Sequence, residues 1–126
     1  MRTAKGFTLI ELIMAVVILG ILALTVVPRF IELSNRATEG AARGALGTMR
    51  AAIAIQFAKN TAEGNPVFPS SIEADFFADG LIPKEPFSKS NKVMYATSAP
   101  TGEGIGWRYD HASGRIWINH NKYLDY

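Results

Sequence analysis

The sequence contains no cysteine. Disulfides, thiolate metal sites and a cysteine nucleophile are therefore excluded. Charge is scarce as well: Asp, Glu, Lys and Arg make up 19% of the 126 residues. The net charge is only +2 and the cations are scattered, so the chain lacks a basic footprint and no nucleic-acid partner is expected. His111 and His120 are the only histidines, and with Asp110 and Asp125 they make a thin set for a metal that needs several convergent ligands. Those two aspartates are also the only acids after Glu103, a thin set for calcium with its preference for six or more oxygens, which leaves calcium as the lesser alternative to no cofactor. No cofactor is expected. Nucleophile–base spacings and paired catalytic carboxylates are missing too. Gly102-Glu103-Gly104-Ile105-Gly106 has no helix behind it, as a phosphate-cradling loop requires. The chain does not read as an enzyme.

What the chain does have is one long apolar run. From Phe7 to Val27 every residue is apolar or small and uncharged except Glu11, a stretch of 21 residues, long enough to cross a bilayer core as a helix. A carboxylate near the middle of such a run costs roughly 2.5–3.5 kcal/mol on insertion scales, so Glu11 asks for a functional reason. The run exceeds the apolar core of a removable secretory signal, and Val26-Val27-Pro28-Arg29 offers no small-x-small cut site. The expectation is a retained single-pass anchor. Arg2 and Lys5 favour a cytoplasmic N-terminus with the rest of the chain outside, although Arg29 and Arg36 beyond the run pull the other way.

Helical character continues past the run. Phe30, Leu33, Ala37 and Ala41, then Leu46, Met49, Ile53 and Phe57, step by three or four, with Arg36, Glu39, Arg43, Arg50 and Lys59 mostly on the other side. One helix from about Phe7 to Ala62 is predicted, bent near Pro28, its second half amphipathic. Gly40, Gly44 and Gly47 lower its propensity. They either admit another backbone closely or merely loosen the helix and lie against the sheet. Gly64-Asn65-Pro66 stops it. Ser70 and Glu73 have capping-box spacing and open a short helix that Gly80 ends. Leu81–Lys92 reads as loop.

Strands follow. Val93–Thr97 is β-prone, Ile105–Tyr109 alternates, Asp110–Gly114 is turn-like, and Arg115–Asn119 alternates with Ile116 and Ile118 on one face. The fold class is α+β: a long N-terminal helix packed on a small antiparallel sheet of about three strands, whose apolar face the amphipathic half of the helix covers. The late aromatics Tyr95, Trp107, Tyr109, Trp117, Tyr123 and Tyr126 suit strand packing and subunit contacts, with Trp117 the most exposed.

Gly6-Phe7-Thr8-Leu9-Ile10-Glu11, after a short basic leader and before the apolar run, resembles the prepilin-peptidase site of type IV pilins and type II secretion pseudopilins. Pro28 falls where such proteins commonly carry a helix-breaking proline. More loosely, Gly80–Phe87 resembles the loop leading into the sheet of small pseudopilins, and Gly106–Asp110 with Gly114 and Asn119 resembles their final hairpin. The resemblance implies a leader over residues 1–6, a membrane and filament-core helix over 7–28, and a small pilin-like domain over 29–126. It implies insertion in the inner membrane, cleavage between Gly6 and Phe7 by prepilin peptidase, and N-methylation of Phe7. It also implies assembly into a helical homo-oligomeric filament, with an assembly-platform membrane protein, an ATPase and other minor pilins or pseudopilins as partners.

A physical argument stands beside the resemblance. Cleavage would leave an ammonium at Phe7 in the apolar layer of Glu11. Paired across two subunits, each charge offsets the other's desolvation and fixes an axial register. Gly20 and Pro28 suit a helix that stretches when crowded among neighbours. The small domain and the missing cysteine pair favour a type II secretion pseudopilin. The alternatives are a type IV pilin for adhesion, motility or DNA uptake, or a membrane-tethered binding module at a filament tip.

Overall fold

The computed structural model describes residues 4–126. The first three residues of the expected leader lie outside them. One α-helix, α1, runs from Leu9 to Ala62 and includes Pro28 without interruption. Pro28 has no N–H to donate, so the Leu24 carbonyl loses its helical partner. Three strands follow: β1 (Val93–Tyr95), β2 (Glu103–Asp110) and β3 (Arg115–His120).

The chain divides into two units, residues 1–37 and Thr38–Tyr126. From Leu9 on the first is helix, with its apolar side chains exposed: Leu9, Ile10, Val16, Leu19, Leu24 and Phe30 all exceed half of their full accessibility. It includes an 18-residue window of mean hydropathy 2.8, long and apolar enough to cross a membrane.

The second unit owns the core. Ala42, Leu46, Met49 and Ile53 step by four, three and four along α1 and are buried against Trp107, Tyr109, Ile116 and Ile118 of the sheet. Full burial of each large apolar side chain contributes about 1.5–3 kcal/mol. The inward stripe is Ala42, not the expected Ala41, and Phe57 completes it by stacking on Phe68 at 4.5 Å. Gly40, Gly44 and Gly47 are exposed, with open space where a Cβ would stand, so they do not lie against the sheet.

The helix end follows the predicted stop. Asn65 donates to the Asn60 carbonyl at 2.9 Å and Gly64 to the Thr61 carbonyl at 3.0 Å, the paired bonds of a Schellman cap, with Gly64 at φ 87°. The segment after it departs from expectation. No helix opens at Ser70: Glu73 stands before a single 3-10 turn, Ala74–Phe76, without a side-chain cap, and Ser71 rather than Ser70 bonds its carboxylate at 2.5 Å. With two prolines and few turns available, the segment is held by the core instead of by its own hydrogen bonds. Ile72 and Phe77 are buried.

The sheet has the order β1-β2-β3, and it is mixed. β2 and β3 form the predicted antiparallel hairpin, whereas β1 runs parallel to β2, pairing Val93 with Trp107 and Tyr95 with Tyr109. A parallel neighbour needs a long return path. It is provided by the Pro/Gly-rich loop together with the first residues of β2, which pair only with β3. The register shifts between Glu103 and Trp107, at Gly106 with φ 70°. That irregularity breaks the expected alternation: Trp107 and Tyr109 are buried, while Ile105 is 54% exposed. A Cβ on Gly106 would run into the Lys92 carbonyl.

Candidate functional site

The helix start carries the residues that the motif picks out. Ala4–Thr8 have no regular structure, and α1 begins at Leu9 rather than Phe7. The Gly6–Phe7 peptide bond therefore lies outside the helix on exposed backbone, where a peptidase can reach it. Phe7 is 86% exposed and Gly6 has open space around its Cα.

Thr8 is the N-cap and Glu11 the third helical residue. Glu11 Oε2 accepts from the Thr8 backbone N–H and from Thr8 Oγ1, both at 2.8 Å, and the Glu11 N–H donates back to Thr8 Oγ1 at 3.3 Å. This is a reciprocal capping box. The Thr-x-x-Glu spacing was visible in the sequence, but the apolar run drew attention to the cost of Glu11 and away from its nearest donors. Glu11 is thus not bare within its own chain. Its carboxylate lies one residue along from the nitrogen that cleavage would free at Phe7.

Gly20 is exposed, with open space around it, and Thr25 Oγ1 donates to the Leu22 carbonyl at 2.8 Å, one turn before Pro28. Gly6, Phe7, Glu11, Gly20 and Pro28 all lie in the apolar unit, and no side-chain hydrogen bond among the described residues joins any two of them; Glu11 is bonded to Thr8 instead.

The other charged candidates have structural work. Asp110 Oδ1 accepts from the Ala112 N–H at 2.9 Å and Oδ2 from Ser113 Oγ at 2.5 Å, closing the hairpin turn. The Ser113 hydroxyl, chiefly, holds its carboxyl below the usual aspartate range. His120 Nδ1 accepts from the Lys122 N–H at 3.1 Å, while His111 and Asp125 are exposed. Among the described residues no group of three or more His, Cys, Asp or Glu side chains could hold a metal.

One buried acid escaped the sequence reading. Glu85 is 1% exposed and organises the loop before β1: it accepts from the Phe87 N–H at 2.6 Å, the Ser88 N–H at 2.7 Å and the Ser88 hydroxyl. The same Ser88 oxygen accepts from the Gly106 N–H at 2.9 Å, which ties the loop to the bulge in β2. A lone Glu between two prolines gives no periodic signal of burial.

The aromatics act as clamps. Trp107 Nε1 donates to the Pro83 carbonyl at 2.7 Å, Tyr109 Oη donates to the Pro69 carbonyl at 2.8 Å, and Tyr95 Oη accepts from the Ile72 N–H at 3.1 Å. Burial, chiefly, with the Asp110 charge and Tyr95 beside it, pushes the Tyr109 phenol up to about 12. Trp117 faces away from Ile116 and Ile118 as expected, but it is half-buried beside its register partner Arg108, and Tyr95, at 46%, is more exposed.

The family described as the prokaryotic N-terminal methylation motif matches residues 1–27, the segment that holds the cap and the apolar run. Over these residues the chain is similar to that family. It is also 46% identical over 52 residues to the type IV narrow pilus major component PilA5 of Thermus thermophilus. That similarity covers 41% of the chain and 45% of the relative, so the chain spans less than half of the length of the protein that it matches. No solved structure matches.

Proposed function

We propose that the chain is a structural subunit of a type IV pilus-like filament. It is inserted in the inner membrane with its N-terminus in the cytoplasm and its sheet domain outside, cut between Gly6 and Phe7 by prepilin peptidase, and methylated on Phe7. The observation that carries this reading is the exposed Gly6–Phe7 bond placed directly before a capped helix whose apolar run, up to Val27, holds one acid, Glu11. In the filament the Phe7 ammonium of one subunit meets Glu11 of the next, and the apolar residues of α1 exchange lipid for neighbouring helices. N-methylation preserves the charge on which that pairing depends. The role is structural, not catalytic, and the enzymes of the pathway are partners: the peptidase, an assembly ATPase and its platform membrane protein.

Within this role two assignments are in play. A small domain without cysteine supports a type II secretion pseudopilin. The similarity to a pilus major component supports a surface type IV pilin. Mass spectrometry of the mature chain tests the common reading: loss of residues 1–6 plus one methyl is expected, and an intact leader would overturn it. Locating the filament separates the two assignments, because a pilin accumulates on the cell surface in wild-type cells and a pseudopilin stays within the envelope.

A further inference from the structure

We propose that the sheet domain carries a head-to-tail contact between copies of this chain, in which the acidic segment after α1 of one copy docks on an arginine-lined cleft of the next. The inference rests on the filament reading and supplies a second, residue-level contact for it outside the apolar helix.

Charge in the domain is segregated. Between Asn60 and Pro83 the chain carries Glu63, Glu73, Asp75 and Asp79 and neither Lys nor Arg. All four acids are exposed, and among the described residues none of them is in an ion pair. On the other flank an open cleft of about 340 Å³ is lined by Arg50, Arg115, Gly114, Ile116 and Trp117. Arg50 is engaged by the Tyr126 main-chain oxygen at 2.9 Å, whereas among the described residues Arg115 has no Asp or Glu side chain within ion-pair distance. Asp110, across the strand pair from Arg115, is the nearest acid in register, but its carboxylate is turned into the hairpin and occupied by Ala112 and Ser113. Glu39, the acid nearest this flank on α1, is held by the Tyr126 hydroxyl.

The two surfaces are not on the same side. Asp79 stands beside Thr48, Ala51 and Ile55 of α1 in a second, apolar cleft. At 100° per residue, Ile55 is rotated by about 140° and Thr48 by about 160° from Arg50 around the helix. Complementary patches on different flanks make a heterologous contact, which leaves one patch free at each end and propagates instead of closing a dimer. Guanidinium groups suit carboxylates in forked geometry, and Trp117 beside them lowers the local exposure to water. The occupant is therefore a second copy of this chain, recognised through Asp79 and the acidic segment that leads to it.

The absence of native cysteine makes the test clean. Full-length chains bearing Ala78→Cys, beside Asp79, together with Ala112→Cys, in the exposed turn before Arg115, keep all the charges of the contact and are expressed in membranes and treated with a short bis-maleimide. Expected is a ladder of dimers, trimers and higher adducts of this chain, with each single variant staying monomeric and a mixture of the two singles stopping at dimers. Arg115→Glu should lower the yield of sheared filaments roughly tenfold, and adding Asp79→Arg should restore it. The proposal falls if the double variant gives no adduct or stops at dimers, if a single variant couples to itself, or if the adduct contains a different protein. Electron microscopy of the unmodified chain keeps the two readings apart: filaments without a ladder overturn this contact alone, while a ladder without filaments overturns the filament reading and leaves the contact standing.

Discussion

Replacing Gly106 by Ala should unfold the sheet domain far more readily than a glycine substitution of the same chemical size elsewhere. Gly106 sits at φ 70°, so an alanine there pays roughly 1–2 kcal/mol for the left-handed backbone. Its Cβ would also meet main chain, with the Lys92 carbonyl carbon at 3.1 Å and nitrogen at 3.2 Å and the carbonyl oxygen nearer still. Main chain cannot swing aside as the tip of a long side chain can, so β1 must move off β2. Two hydrogen bonds go with that movement: Trp107 N–H to the Lys92 carbonyl at 2.8 Å and Gly106 N–H to Ser88 Oγ at 2.9 Å. Each is worth about 1 kcal/mol, for a total of roughly 3–4 kcal/mol. The control is Gly64→Ala, at φ 87° with nothing within 4 Å of the added methyl, where only the backbone term of about 1–2 kcal/mol applies. For a domain of this size, that arithmetic gives a Tm lower by roughly 15–25 °C for Gly106→Ala and by roughly 5–10 °C for the control. Tryptophan fluorescence of the detergent-solubilised full chain reads the sheet and not the membrane helix, because both tryptophans lie in β2 and β3. Equal shifts for the two variants would refute the argument that the bulge is backed directly onto Lys92.

Four further outcomes follow from the same geometry. Glu11→Ala should be inserted and cut but assemble poorly, and normal filaments by electron microscopy would contradict the pairing with Phe7. Glu85→Ala leaves the Phe87 and Ser88 N–H groups without their acceptor and should cost roughly 2–3 kcal/mol, seen as faster proteolysis within residues 81–92. Asp110 has a folded pKa below its unfolded value, so its contribution is present at neutral pH and lost as pH falls through the folded value. Asp110→Asn should flatten the acid limb of the unfolding profile. Tyr109 is shifted the opposite way: its contribution is complete below the ordinary tyrosine value of 10 and lost as pH rises toward about 12, so its tyrosinate absorbance should appear last and together with loss of the fold.

The parts legible in the sequence were those with a strong period or a tight local grammar. The apolar run, the stripe Leu46–Met49–Ile53, the Gly64 stop and the Ile116/Ile118 face all declared themselves by spacing and appear in the structure. What was illegible depends on contacts distant along the chain. Nothing local in Val93–Tyr95 says that it runs parallel to β2, and alternation through Ile105 gave the wrong face because one residue at Gly106 shifts the register. Ser70 and Glu73 satisfied a capping pattern, yet the prolines and the pull of Ile72 and Phe77 into the core left no helix to cap. At the candidate site the motif was plain, while the bonds from Thr8 to Glu11 were overlooked although their spacing was printed in the chain.

The clamps from the sheet have a consequence for how freely this surface can drift. Trp107 and Tyr109 grip the carbonyls of Pro83 and Pro69, and Tyr95 receives the amide of Ile72. A grip on main chain is indifferent to which side chain hangs from it. Apart from Ile72, Phe76, Phe77 and Ile82, which fill the core or pack against it, and Gly80 at φ 67°, positions between Pro69 and Pro83 can be rewritten without loosening the segment. The fold thus separates a main-chain handle from an editable face: exchanging residues there alters what the segment presents to its surroundings, while the sheet that holds the segment stays as it is.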